Sequence, residues 1–163
     1  MCIIPDHEIV VLLRQGALVI EPFSEDGLTP NGYDLRVAEV RPASSMETVR
    51  EGVADLAPGS MSFVSTLERV ELPDDVSAQL WTRTSWIRKG LLVGLGKVDA
   101  GFHGTLTFMV FNASSNIVEL PIGSRFVQIV FETMRSKVAM TYEKRSGNYQ
   151  DQKGITLEPV KKL

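Results

Sequence analysis

Apolar residues in this chain come in short runs punctuated by turn formers, and few of the runs follow a helical period. Residues 105–112 read T-L-T-F-M-V-F-N and residues 126–132 read F-V-Q-I-V-F-E; both are rich in β-branched and aromatic side chains. Such side chains suit the pleated, half-buried surface of a strand. Residues 61–72 and 76–82 read as strands on the same grounds, and the apolar stretch from Leu91 to Val98 predicts a strand that stops before Asp99. Between the runs, Pro30-Asn31-Gly32, Pro58-Gly59, Pro73-Asp74-Asp75 and Pro121-Ile122-Gly123 mark tight turns. A short helix is predicted over Pro5 to Gln15, where Ile9, Val10, Leu12 and Leu13 are apolar and Gly16 can end it. Many short strands with regular turns predict an all-β sandwich, barrel or jelly roll. Long amphipathic helices are missing, as are G-x-G-x-x-G and G-x-x-x-x-G-K-[ST], which argues against a doubly wound nucleotide fold.

No repeat or low-complexity linker divides residues 1–143, which are expected to form one β domain. Residues 144–163 are polar and basic, contain Gly147 and Gly154, and read as a mobile tail. With 163 residues, 44% of them hydrophobic and 23% charged, the chain can bury a real core. Its net charge of −3 disfavours a general nucleic-acid partner but leaves room for a small anion held by a local arginine cluster. Cys2 has no second cysteine to pair with, and with only His7 and His103 beside it a cysteine-rich zinc site is excluded. No apolar run approaches the roughly 20 residues of a membrane span, and Asp6 and Glu8 do not fit a signal peptide. The expectation is a soluble cytoplasmic protein with no membrane partner.

Three constellations could carry chemistry. In G-K-V-D-A-G-F-H-G, residues 96–104, Asp99 is the lone acid at the end of an apolar stretch. A carboxylate on such a corner can take a proton from water; the alternative is a turn aspartate that caps its own backbone. Phe102 is either core or a ring that packs on a sugar, and His103 is assigned no role. Arg83-Thr84-Ser85-Trp86-Ile87-Arg88 follows a strand-like run and predicts a short helix beginning near Thr84 or Ser85. Its hydroxyls and guanidinium groups can grip phosphate oxygens; the alternative is an ordinary capped helix with surface arginines. In Pro30-Asn31-Gly32-Tyr33-Asp34-Leu35, Asp34 is either an edge acid beside a hairpin or a second carboxylate near a hydrated Mg²⁺. Gln128, inside F-V-Q-I-V-F, either faces solvent or donates its amide to a polar group. Tyr149 and Gln152 in the tail have the chemistry to cover a nucleotide.

Taken together, P-N-G-Y-D-L, Q-L-W-T-R-T-S-W-I-R, V-D-A-G-F-H-G-T-L and R-F-V-Q-I-V-F-E resemble, in order and spacing, the dUTPase and dCTP deaminase superfamily. The likeness is greatest to the archaeal dUTP diphosphatases, which E-P-F-S-E and L-P-D-D-V also fit; it runs from about Ile20 to Gly154. The resemblance implies a distorted jelly roll, a homotrimer with active sites shared between subunits, and Mg²⁺-dependent hydrolysis of dUTP to dUMP and pyrophosphate. It implies that Asp99 activates the water and Phe102 packs on deoxyribose. Arg83, Thr84, Ser85, Arg88 and Gln128 fall in phosphate-binding segments, Asp34 lies near metal-bound waters, and Tyr149 and Gln152 close over the nucleotide. The chain departs from the deaminases at one position: where they carry a glutamate as general base at the cytosine ring, this chain has Met109. Glu119 and Glu132 lie in other segments, and H-x-E with P-C-x-x-C, the mark of zinc deamination, is absent. The glycine-rich final motif of ordinary dUTPases is also missing. The competing expectations are a dCTP deaminase, with or without dUTPase activity, and a trimer that binds nucleotides without turning them over.

Overall fold

The computed structural model describes residues 2–160. Strand Gly32–Pro42 is its organising element. Antiparallel partners flank it at different points along its length: Arg36 to Tyr33 pair with Arg125–Thr133, and Val37 to Pro42 pair with Met61–Thr66. Register shifts between Val37 and Glu39, and opposite them between Arg125 and Val127, bend the strand where its partner changes. The sheet therefore curls rather than lying flat. Beyond Arg125–Thr133 lie Val76–Thr82 and then Lys97–Val98; beyond Met61–Thr66 lie Thr107–Asn112 and then Leu91–Gly94. Cys2–Ile3 and Leu28–Thr29 complete this nine-stranded sheet among the described residues, and further sheets of three and two short strands accompany it.

The curl encloses the core. Tyr33, Leu35, Leu91, Leu120, Phe126 and Phe131 are fully buried there. Each such side chain is worth about 1.5–3 kcal/mol relative to exposure. Strand Arg125–Thr133 has most of its residues buried, which explains its near-continuous apolar run. Helix Asp6–Arg14 packs Ile9 into the same core.

The predicted elements are present, with three differences. Residues 61–72 form two strands, Met61–Thr66 and Arg69–Glu71. The intervening Glu68 is completely buried and accepts hydrogen bonds from the backbone N–H and Nε of Arg36. Leu91 to Val98 likewise divides into Leu91–Gly94 and Lys97–Val98. The hairpin turn is made by Pro30 and Asn31, because Gly32 already pairs with Thr29. Gly32 is needed for close approach: a Cβ there would lie 2.4 Å from the Ile129 carbonyl oxygen. That contact places Asp34 inside the sheet, 4% exposed, and not on an edge.

The chain after Thr141 forms a one-turn helix, Tyr142–Arg145, and then a strap along the body. The strap is held by the Asp151 N–H on the His103 carbonyl (2.8 Å) and the Thr105 N–H on the Gln152 carbonyl (3.1 Å). The Gln150 amide bonds both the Gly101 carbonyl and the His103 N–H. Its polar residues thus find partners in the body. The last three residues of the segment read as a tail, 161–163, lie outside the described residues.

Candidate active site

Strand Lys97–Val98 ends at Asp99, where a turn closed by the Phe102 N–H on the Asp99 carbonyl (3.1 Å) reverses the chain. The turn is anchored by the Gly101 N–H on the Leu72 carbonyl and by the Leu72 N–H on the Phe102 carbonyl. Asp99 is thereby set on the wall of a cleft of about 320 Å³. Its exposed carboxylate accepts no hydrogen bond and joins no ion pair among the described residues. The turn is held by backbone groups alone, so the aspartate is not needed as its own cap.

Phe102 forms part of the cleft's floor, 5% exposed, with its ring edge-on to Tyr142 at 5.5 Å between centroids. The strap brings Tyr149 and Gln152 over the same cleft. Tyr149 is fixed by its N–H on the Tyr142 hydroxyl (3.0 Å), and Gln152 by its amide on the Thr105 carbonyl (2.7 Å). Gly104 makes this docking possible. Its φ of +145° lies outside the range favoured by other residues, and a Cβ would meet the Gln152 carbonyl oxygen at 3.1 Å.

Met109 lines the cleft beside Phe63, with which it pairs across the sheet. Among the described residues, Asp99 is the one carboxylate lining the cleft and Lys97 the one cation. Lys97 stands two residues before Asp99, the spacing that puts side chains on the same side of an extended segment. That spacing was visible in the sequence, so Lys97 could have been found. Tyr142 also lines the cleft, but a single aromatic in a polar segment carries no periodic signal.

The phosphate-binding candidates lie elsewhere on the chain. Helix Thr84–Ile87 is anchored by Trp86, whose indole N–H bonds the Arg125 carbonyl at 2.8 Å. Thr84, Ser85 and Arg88 are exposed on it, and no side chain caps its start. Arg88 borders a separate polar cavity with Lys89, Asp55 and Glu119. Arg83 pairs with Asp34 through Nε at 2.8 Å, and Arg125 stands 4.0 Å from the same carboxylate oxygen. Burial lifts the Asp34 carboxyl above the usual carboxylate range, and the guanidinium groups of Arg83 and then Arg125 oppose that lift. Gln128 donates its amide to the Thr29 hydroxyl at 2.8 Å. None of these residues lines the Asp99 cleft of the same chain.

Among the described residues, no three His, Cys, Asp or Glu side chains stand close enough to share a metal ion. Asp34 is committed to its arginines. Magnesium keeps several waters and takes one or two carboxylates together with phosphate oxygens. The donor set fits Mg²⁺ only as an ion whose ligands come mainly from a bound triphosphate. The described residues also contain no helix long and apolar enough to cross a membrane.

Residues 3–134 match the family model described as dCTP deaminase-like. The chain belongs to the dCTP deaminase-like family. A dCTP deaminase of Pyrococcus horikoshii is 43% identical over 148 residues, which cover 90% of this chain and 93% of that protein. A protein of Sulfolobus islandicus rod-shaped virus 1, named a probable deoxyuridine 5'-triphosphate nucleotidohydrolase, is 36% identical over 95% of this chain and 97% of its own. The 2'-deoxycytidine 5'-triphosphate deaminase of Agrobacterium tumefaciens superposes with a TM-score of 0.71 at 22% identity. That match covers 80% of this chain and 48% of the deaminase. A point mutant of the Staphylococcus bacteriophage 80alpha dUTPase, solved with dUpNHpp, superposes with a TM-score of 0.52 at 19% identity, over 76% of this chain and 94% of its own. The curled all-β fold is therefore that of the dUTPase and dCTP deaminase superfamily, whose members include enzymes of both kinds.

Proposed function

We propose that this member of the family hydrolyses dUTP to dUMP and pyrophosphate, with Asp99 as the general base. One observation carries the proposal: among the described residues, Asp99 is the lone acid of the cleft, and its carboxylate has no structural partner to satisfy. In the reaction Asp99 orients a water and takes its proton while the water oxygen bonds to the α-phosphorus. The bond from the α-phosphorus to the bridging oxygen breaks, and pyrophosphate leaves with that electron pair. Phe102 packs on the deoxyribose, while Tyr149 and Gln152 close over the nucleotide from the strap.

The triphosphate needs cations, and among the described residues Lys97 is the one that lines the cleft. Arg83, Thr84, Ser85, Arg88 and Gln128 are assigned to phosphate binding from a neighbouring copy, as part of a homotrimer. Their position outside the chain's own cleft supports that assignment. Mg²⁺ carried on the triphosphate would neutralise phosphate charge and polarise the α-phosphorus. The largest contribution is electrostatic, from cations arranged before the charge moves.

A second reading, deamination of dCTP, is favoured by the name of the Pyrococcus horikoshii relative. The thioether of Met109 cannot shuttle a proton, and the one acid that lines the cleft among the described residues, Asp99, is assigned here to the attacking water. The deciding experiment incubates the wild type with dUTP, dCTP, dTTP and UTP in Mg²⁺ and follows pyrophosphate and ammonia together. Pyrophosphate from dUTP without ammonia from dCTP is expected. Ammonia from dCTP would establish the second reading, and neither product from any substrate would leave a nucleotide-binding protein.

A further inference from the structure

Strand Gly32–Pro42 places a buried carboxylate under the far end of the strap. Glu39 follows the bend at Val37 and is 9% exposed. Its Oε1 accepts the N–H of Ile155 at 2.6 Å, and its Oε2 receives Nε of Arg50 at 2.9 Å. Arg50 is delivered by the isolated bridge between Val40 and Val49, one residue along from each partner. On the other side of the strap, the Thr107 hydroxyl donates to the Gly154 carbonyl and accepts the Thr156 N–H, both at 3.1 Å. Gly154 passes directly over Glu39: at its φ of +61°, a Cβ would lie 2.6 Å from Oε1. The next residues, Thr156 and Leu157, form a wall of the Asp99 cleft.

We infer that Glu39 is a positioning residue that latches the strap and thereby holds Thr156 and Leu157 in the cleft wall. It acts on the nucleotide through the chain it fastens. A hydrogen bond from a backbone N–H to a partly desolvated carboxylate is among the stronger kinds a protein makes. Gln152 is already bonded to the body at Thr105 and Thr107 still holds Gly154 and Thr156, so loss of Glu39 loosens the strap around Ile155 without releasing it. The ordering of that end would then fall to nucleotide binding, which weakens apparent affinity. The link to nucleotide rests on the function proposed above; the latch itself does not.

The test compares Glu39→Ala and Glu39→Gln in the full chain. Hydrogen exchange at Ile155 and Thr156 should accelerate by about tenfold or more in Glu39→Ala, the lower end expected for losing a charge-assisted bond. Exchange in strand Arg125–Thr133 should stay unchanged. Glu39→Gln keeps an acceptor for the Ile155 N–H and should restore most of the protection. KM for dUTP should rise several-fold in Glu39→Ala with kcat held, and recover in Glu39→Gln. Ile155→Pro removes the donor from outside the core; if Glu39→Ala fails to fold, faster exchange at Thr156 and the same rise in KM are expected of it, residue 155 itself then having no amide proton to follow. Unchanged strap exchange in a folded variant, or a Gln variant as loose as the Ala variant, overturns the latch. A loosened strap with unchanged KM overturns the positioning role. If the wild type turns over no nucleotide, the proposed function fails, and the exchange measurements still decide the latch.

Discussion

Replacing Asp99 with asparagine separates catalysis from structure unusually well in this chain. The carboxylate makes no hydrogen bond or ion pair among the described residues, and the turn beneath it is closed by the Phe102 N–H on a backbone carbonyl. Asparagine has the same shape and breaks none of these contacts. An exposed substitution of this kind should change stability by no more than about 0.5 kcal/mol. As the proposed proton acceptor, by contrast, Asp99 has no substitute among the described residues of the cleft wall, where Met109, Thr107 and Gln152 are not bases near neutrality. Loss of a general base typically lowers rates by ~10²–10⁴. At 1.36 kcal/mol per decade, that is about 2.7–5.4 kcal/mol in the activation barrier. The assay is pyrophosphate release from dUTP at saturating substrate, beside a thermal melt and calorimetric binding of a non-hydrolysable dUTP analogue. The expected outcome is a melt and an affinity close to wild type with turnover nearly abolished. Turnover within about tenfold of wild type would refute the base assignment, since that is less than general-base catalysis supplies. A large fall in the melting temperature would refute the claim that the carboxylate is structurally idle.

Met109→Glu should not by itself create efficient dCTP deamination, because Phe63 and the other neighbours of Met109 were not arranged around an acid and its water; ammonia release from dCTP measures this, and brisk release would show that one residue separates the two reactions. Phe102→Ala should destabilise the fold by about 3–5 kcal/mol, the usual loss for a buried phenylalanine, since its ring is 5% exposed and packed on Tyr142; denaturant titration checks it, and a loss under about 1 kcal/mol would contradict the packing. Asp34 gives a pH dependence of unusual sign. Its folded carboxyl holds the proton to higher pH than its ordinary value of 3.8, so its stabilising contribution is complete below that value and fades as pH rises through the raised one. The stability of wild type relative to Asp34→Asn should therefore fall with rising pH across that window in a series of thermal melts; a difference that rises with pH would reverse the sign and make the pairing with Arg83 dominant.

Much of this protein could be read from residue order because its strands are buried and short. β-branched and aromatic runs such as 105–112 and 126–132 have few alternatives to a pleated sheet, and the turn formers between them leave little freedom over where strands end. The Asp99 corner was legible for the same reason: a lone acid among glycines after an apolar run has to sit at a strand end. The strap was harder to read. Its polar composition suggested a mobile tail, yet Gln150 and Gln152 are buried because carbonyls and N–H groups of residues 101–105 stand ready to receive them. Composition reports what a segment could do in water, not which partners another part of the chain will present to it.

By itself, the sequence determined the local elements and the placement of Asp99 on a turn, since each depends on neighbouring residues and short-range sterics; that Met109 stands where the deaminases carry a glutamate came from the family resemblance. Tertiary structure decided which of the candidate residues meet. It gathered Asp99, Phe102, Met109, Tyr149 and Gln152 around one cleft and added Lys97 and Tyr142. It buried Asp34 against Arg83 and left the helix of Thr84 and Ser85 outside. Those outcomes depend on how a curled sheet brings distant strands together, and contacts between residues separated by tens of positions leave no period in the chain for a local reading to detect.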